Sequence, residues 1–172
     1  SASARSRSKF LAKTTDRGAI LAQELHRLGL DLASTSLEKL TKYLVELDRW
    51  NAKMNLTALS GAMQIRRLVA EPVWIGRTLG VAGRTMDVGS GNGCPAIPMI
   101  SALPIVASTL VEPRLRRVAF LRHVITTLGL QGVKVERARL NEISVTESLD
   151  WVTIQGVALA PTLIGELNRV CS

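Results

Sequence analysis

The stretch TMDVGSGNGCPAIPMI, Thr85 to Ile100, restricts the fold of this chain more than any other. A short apolar run ends in a turn with glycine at positions 89, 91 and 93, and CPAIPMISAL after it has helical spacing. A strand that enters a helix through a glycine turn is the first half of a βαβ unit. The same alternation recurs downstream. IVASTLVEP, VKVERAR and DWVTIQG read as strands, while RLRRVAFLRHVITTLGL and PTLIGELNRV read as helices, the former with Val118, Leu121, Ile125 and Leu128 on one face. Strands alternating with helices predict a parallel sheet with right-handed crossovers, a doubly wound α/β fold. No internal repeat is visible.

Before Gly83 the period is helical throughout. Ile20, Leu21, Leu25 and Leu28 mark a first helix that Gly29 stops, and Leu37, Leu40, Leu44 and Leu47 mark a second, with Ser34 or Ser36 as its cap. A third is expected from Met63 to Leu79, with Pro72 as a kink or a boundary. Residues 16–82 therefore predict a helical N-terminal cap, and residues 83–172 an α/β domain. Residues 1–15, SASARSRSKFLAKTT, hold no acidic side chain and predict a flexible basic arm in reach of RNA. Their composition also resembles an organelle transit peptide, and position 1 is not Met, as a processed start would leave it.

Charge narrows the partners. Lys and Arg number 22 against 14 Asp and Glu, a formal +8, which favours a polyanion whose counterions basic side chains displace. Aromatic residues are only 3%, against a surface built on stacked bases. No apolar run reaches the roughly 18–20 residues of a membrane helix. Cys94 and Cys171 stand too far apart in sequence for a metal pattern, so no metal is expected, and a reducing, cytoplasmic compartment is the simplest reading.

In a doubly wound sheet, ligands bind beyond the carboxyl ends of the strands. Gly89, Gly91 and Gly93 permit tight dihedrals and a close backbone approach, and Pro95 fits the first turn of the next helix. An ordinary glycine turn is the plain alternative. Two acids favour a nucleoside: Asp87 precedes the first glycine by two residues, and Glu112 ends the second strand, where a carboxylate can accept both ribose hydroxyls. A nicotinamide fingerprint requires its third glycine at position 94, which is Cys94. An anionic Asp87 suits a cationic cofactor better than a pyrophosphate, and S-adenosylmethionine carries a sulfonium and an ammonium without phosphate.

Three blocks in order, YLVELDRWNAKMNLTAL, DVGSGNGCPAIP and LVEPRLRRVAFLRHV, resemble the small-subunit (16S) ribosomal RNA guanine-N7 methyltransferases, also called glucose-inhibited division protein B. The resemblance runs from about Leu37 to the end of the chain. It implies a Rossmann-like class I methyltransferase sheet with a helical N-terminal cap, S-adenosylmethionine as methyl donor, and a guanine of ribosomal RNA or the small ribosomal subunit as acceptor. The resemblance places cofactor contacts at Gly89, at Cys94 (where the family usually has Phe or Leu) and at Leu140 and Asn141; with the residues read above, the expected cofactor set is Asp87, Gly89, Gly91, Gly93, Cys94, Glu112, Leu140, Asn141 and Gln155. Asn51, Asn55 and Thr57 would lie near that pocket, or serve as caps and loop hydrogen bonds. Asn55 and Gln155 are the catalytic candidates. Arg114, Arg116, Arg117 and Arg122, on the helix after Glu112, form either a phosphate-binding face or a solvated one. His26 and His123 read as surface or partly packed residues, since guanine N7 has a free lone pair and asks for no general base.

The chain departs from the family in three places. The usual R-H-x-x-D-S block is RRLVAE here, Arg66 to Glu71, and the usual S-R-A is TIQGVA, with Gln155 in place of an arginine. The sheet is also expected to be shortened at its C-terminal end. Its fourth strand would be an open edge, which a homodimer or another partner would cover, or which a fragment would leave bare. A non-catalytic RNA- or nucleoside-binding relative is the second reading, and an NAD-binding oxidoreductase module the third.

Overall fold

A computed structural model describes residues 16–157 and 161–170 of the chain. The basic arm expected over residues 1–15 lies outside them. Residues 16–27 form α1, followed by α2 (Ser34–Met54), α3 (Gly61–Ile65), a π-helical turn (Arg66–Ala70) and α4 (Glu71–Leu79). The sheet follows as β1 (Gly83–Val88), α5 (Ala96–Ala102), β2 (Ile105–Val111), α6 (Leu115–Leu128), β3 (Val133–Glu136), β4 (Trp151–Ile154) and α7 (Pro161–Val170). All pairings are parallel, in the order β3-β2-β1-β4. The chain thus reverses its winding at β1, and the crevice of such a sheet opens at the ends of its central strands.

Gly29, at φ 67°, ends α1 as expected. The serine cap expected for α2 is not formed. Ala33 is the residue that caps it, and its backbone carbonyl accepts from the N–H groups of Ser36 and Leu37 at 3.0 and 3.1 Å. Of the two things expected of Pro72, the structure shows the boundary: the π turn ends at Ala70 and α4 starts at Glu71. The proline sits in the first turn of α4, where a missing N–H is harmless, and the chain reaches it through the π turn, closed by Glu71 N–H to Arg66 O. Pro95 stands one residue ahead of α5 rather than within its first turn, after a cis peptide bond from Cys94. Between β3 and β4 the regular structure is one 3-10 turn, Leu140–Glu142.

The two faces of the sheet are covered unequally. Leu110 looks toward α5 and α6, where Ile97, Phe120, Leu121 and Val124 join Leu21, Leu44, Leu47 and Ile65 of the helical cap in one continuous core. Each such side chain contributes about 1.5–3 kcal/mol when fully buried. The opposite face has a small cluster, Met86, Val88 and Val111 under Leu140 and Leu163. Glu46 of α2 and His123 of α6 meet at 2.7 Å, and Trp50 stacks edge-on to Phe120, so the cap is tied to the sheet by polar as well as apolar contacts.

Candidate cofactor site at the glycine turn

The turn after β1 is folded by its own backbone. Gly89 and Ser90 donate to Val111 O at 2.9 and 3.1 Å, Gly93 donates to Ser90 O at 2.6 Å, and Ile97 donates to Gly93 O at 2.7 Å. Gly93 has φ +89°, and a Cβ there would fall 2.7 Å from Ile97 Cγ1, so only glycine satisfies both the dihedral and the space. Glu112 locks the turn to β2. Its side chain is 2% exposed, one oxygen accepts the Gly91 N–H at 3.0 Å, and the other accepts the Arg114 N–H at 2.9 Å. The Arg117 guanidinium stands 3.8 Å from it.

Asp87 lies beneath the turn, 1% exposed. Its Oδ1 accepts the Thr153 hydroxyl at 2.6 Å, while Oδ2 has no hydrogen-bond partner among the described residues. Burial pushes the carboxyl up to about 6, against the opposing effect of hydrogen bonding by the Thr153 and Ser90 hydroxyls, and the nearby Glu112 pushes the same way as burial. Burial and the Asp87 charge push the Cys94 thiol up to about 12, with a hydrogen bond from Gln155 acting against them. A thiol of that kind stays protonated near neutrality and is no nucleophile. The Tyr43 hydroxyl, donated to Asn92 O at 2.9 Å, is raised well above its ordinary value by burial, and further by Cys94 and Asp87.

Above this buried layer is a cleft of ≈ 650 Å³, with Gly89, Glu112, Arg114, Arg117, Arg139 and Leu140 in its wall. A second hollow, ≈ 410 Å³, lies on the less covered sheet face between Lys134, Glu136 and the segment 142–149, away from the turn.

The structure brings part of the expected set together. Asp87, Gly91, Gly93, Cys94 and Gln155 form or touch the buried layer, and Gly89, Glu112 and Leu140 reach the cleft. Asn141 is exposed on the 3-10 turn beside Leu140. Asn55 is exposed and ends α2 in a left-handed conformation, φ 51°. Asn51 and Thr57 are spent on each other, the Asn51 amide bridging both backbone groups of Thr57 at 2.9 Å. Of the four arginines, Arg114 and Arg117 border the cleft, Arg116 donates to Lys53 O at 3.2 Å, and Arg122 donates to Val135 O at 3.2 Å on the far side of α6. His26 is exposed. Tyr43, Asn92 and Thr153 were not anticipated. The one available signal was that Tyr43 is the only tyrosine and stands in a leucine stripe. Among the described residues no cluster of three His, Cys, Asp or Glu could hold a metal ion, and no helix is long and apolar enough to cross a membrane.

The family profile described as GidB, rRNA small subunit methyltransferase G, matches residues 36–170. The ribosomal RNA small subunit methyltransferase G of Desulfotalea psychrophila is 31% identical over 143 residues, 80% of this chain and 66% of that protein. The protein of the same name from Chloroflexus aggregans is 34% identical over 142 residues, 79% of this chain and 60% of that one. The chain thus spans less than two thirds of the length of these relatives. Among solved structures, DhpI in complex with SAH superposes with a TM-score of 0.50 at 14% identity, over 78% of this chain and 62% of that one, a likeness of fold.

Proposed function

The chain belongs to the GidB family, rRNA small subunit methyltransferase G, and on that premise we propose that it binds S-adenosylmethionine at the glycine turn and directs its methyl group to guanine N7 of small-subunit ribosomal RNA. The observation that carries the cofactor is the Asp87 carboxylate, 1% exposed with one oxygen unpartnered among the described residues. Coulomb attraction is strong in so dry a place, so a cationic ligand offsets this charge and a pyrophosphate aggravates it. That argues against the nicotinamide reading. When bound, the cofactor supplies an electrophilic methyl group on a sulfonium.

The chain's own residues then bind and orient. Each Glu112 oxygen has one backbone N–H partner, and a carboxylate offers about four lone-pair sites in all, which leaves acceptors for a ribose diol. The backbone at Leu140 and Asn141 would hold an adenine amine, and Arg114 and Arg116 would hold RNA phosphates. Guanine N7 has no proton to lose, so the wall need only align its lone pair and exclude water. Asn55 and Gln155 remain the residues proposed to meet the base, in a cytoplasmic protein. β4 is an edge of the sheet, and a second chain along it is the proposed oligomer; a monomer by light scattering would refute that.

Calorimetric titration with S-adenosylmethionine and its demethylated product, beside NAD, tests the reading. Micromolar binding of the first two alone, followed by methyl transfer to ribosomal RNA, is the expected result. No binding by a folded chain would replace it with the non-catalytic, RNA-binding reading.

A further inference from the structure

We infer that Tyr43, on the cap helix α2, is a positioning residue for the glycine turn: its hydroxyl holds the Asn92 carbonyl, so the cap sets the shape of the cofactor site. The inference rests on the cofactor reading above.

A tyrosine is not needed to fill this space. Tyr43 is 0% exposed among Leu40, Leu44 and Leu47, where phenylalanine would give the same apolar contact without a hydroxyl to desolvate. Burying a hydroxyl is unfavourable unless it is hydrogen-bonded, so what the tyrosine adds is the bond itself. That bond spans 49 residues of sequence, at 2.9 Å, and ends on the backbone of the residue between Gly91 and Gly93. Both glycines have positive φ, 51° and 89°, and neither carries a side chain to limit its own backbone.

Two anchors supply the restriction. From the sheet, Glu112 holds the Gly91 N–H at 3.0 Å; from the cap, Tyr43 holds the Asn92 carbonyl two peptide units further on. The Asn92 side chain adds to the second anchor. Its oxygen accepts the Cys94 N–H at 3.0 Å, and its amide points at Leu56 O, 3.5 Å away, in the loop that leaves α2. A shift of α2 along its axis therefore moves the peptides that a ligand would meet. The hydroxyl also lies in the field of Asp87 and Cys94, inside the site's own electrostatics.

The test is Tyr43→Phe, with Ile65→Val as comparator, a change in the buried core of the cap that removes no hydrogen bond to the turn. Calorimetry with the demethylated product of S-adenosylmethionine is run well below the unfolding midpoint. Tyr43→Phe is expected to weaken binding about tenfold, ~1.4 kcal/mol, while Ile65→Val lowers the urea midpoint and leaves the Kd alone. Because Tyr43 is the only tyrosine, 3-fluorotyrosine labels this position by itself and needs no mutation. Its fluorine resonance is expected to move during the titration. Equal binding by wild type and Tyr43→Phe, or a fluorine signal that ignores a ligand which does bind, overturns the inference alone. No binding by the folded wild type overturns it together with the cofactor reading.

Discussion

Replacing Asp87 by asparagine removes a charge that the fold keeps in a dry place. The carboxyl is 1% exposed and its pKa rises from 3.8 to about 6 on folding, chiefly through burial. That is about two pKa units at 1.36 kcal/mol each, so the ionised group costs the native state about 3 kcal/mol. The pH dependence follows from which state holds the proton. Below 3.8 both states are protonated and the cost is absent; between 3.8 and about 6 the native state binds more protons, so stability falls as pH rises; above about 6 the cost is complete. Asparagine keeps the shape but gives up an acceptor and adds donors, which returns part of the gain. Urea denaturation at pH 8 should find Asp87→Asn about 1–3 kcal/mol more stable than wild type, with the difference shrinking steadily toward pH 4. Affinity for S-adenosylmethionine should move the other way, by about 1.5–3 kcal/mol, the usual worth of a bond to a charged group. A variant less stable than wild type at pH 8, or a difference that ignores pH, would refute the reasoning about burial.

Gly93→Ala should lose about 2–4 kcal/mol in urea denaturation, since it combines φ +89° with a Cβ 2.7 Å from Ile97. Gly80→Ala, at φ +72° with nothing within 4 Å, should lose only about 1 kcal/mol; equal losses would mean that space at the turn is immaterial. Changing Arg114 and Arg116 together to alanine should flatten the dependence of RNA affinity on salt, the slope of log K falling by about 0.7–0.9 for each phosphate that is no longer neutralised. An unchanged slope in filter binding would assign the phosphates to other side chains.

The strands were legible because alternation and the change of period at Gly83 are local properties, and the parallel sheet follows from their order. What escaped depends on partners far away in sequence. Thr153 reaches Asp87 only because β4 pairs with β1 rather than β3, placing Thr153 opposite Asp87 in the register. Tyr43 reads as core on any helical wheel, and only the position of the turn reveals what its hydroxyl is for. The missing serine cap of α2 has a different cause. Ser34, Thr35 and Ser36 offer three hydroxyls in a row, so side-chain chemistry does not single out a first residue, and the backbone path arriving from Leu30 decides it at Ala33. At Pro72 the sequence signalled a break, and the π turn absorbs it by widening the helix without interrupting it.

Unequal covering of the two sheet faces sets an order of failure. The side facing α5, α6 and the cap is one large apolar unit and should open only with the whole molecule, whereas among the described residues the Met86 and Leu163 side has the smaller cluster to hold it. β4 is the edge strand there, and when it leaves, Thr153 goes with it and the Asp87 carboxylate meets water. The proposed cofactor site would then be dismantled in molecules that still look folded by their helix content. Loss of ligand affinity on warming would precede loss of structure, and the two would be separate events.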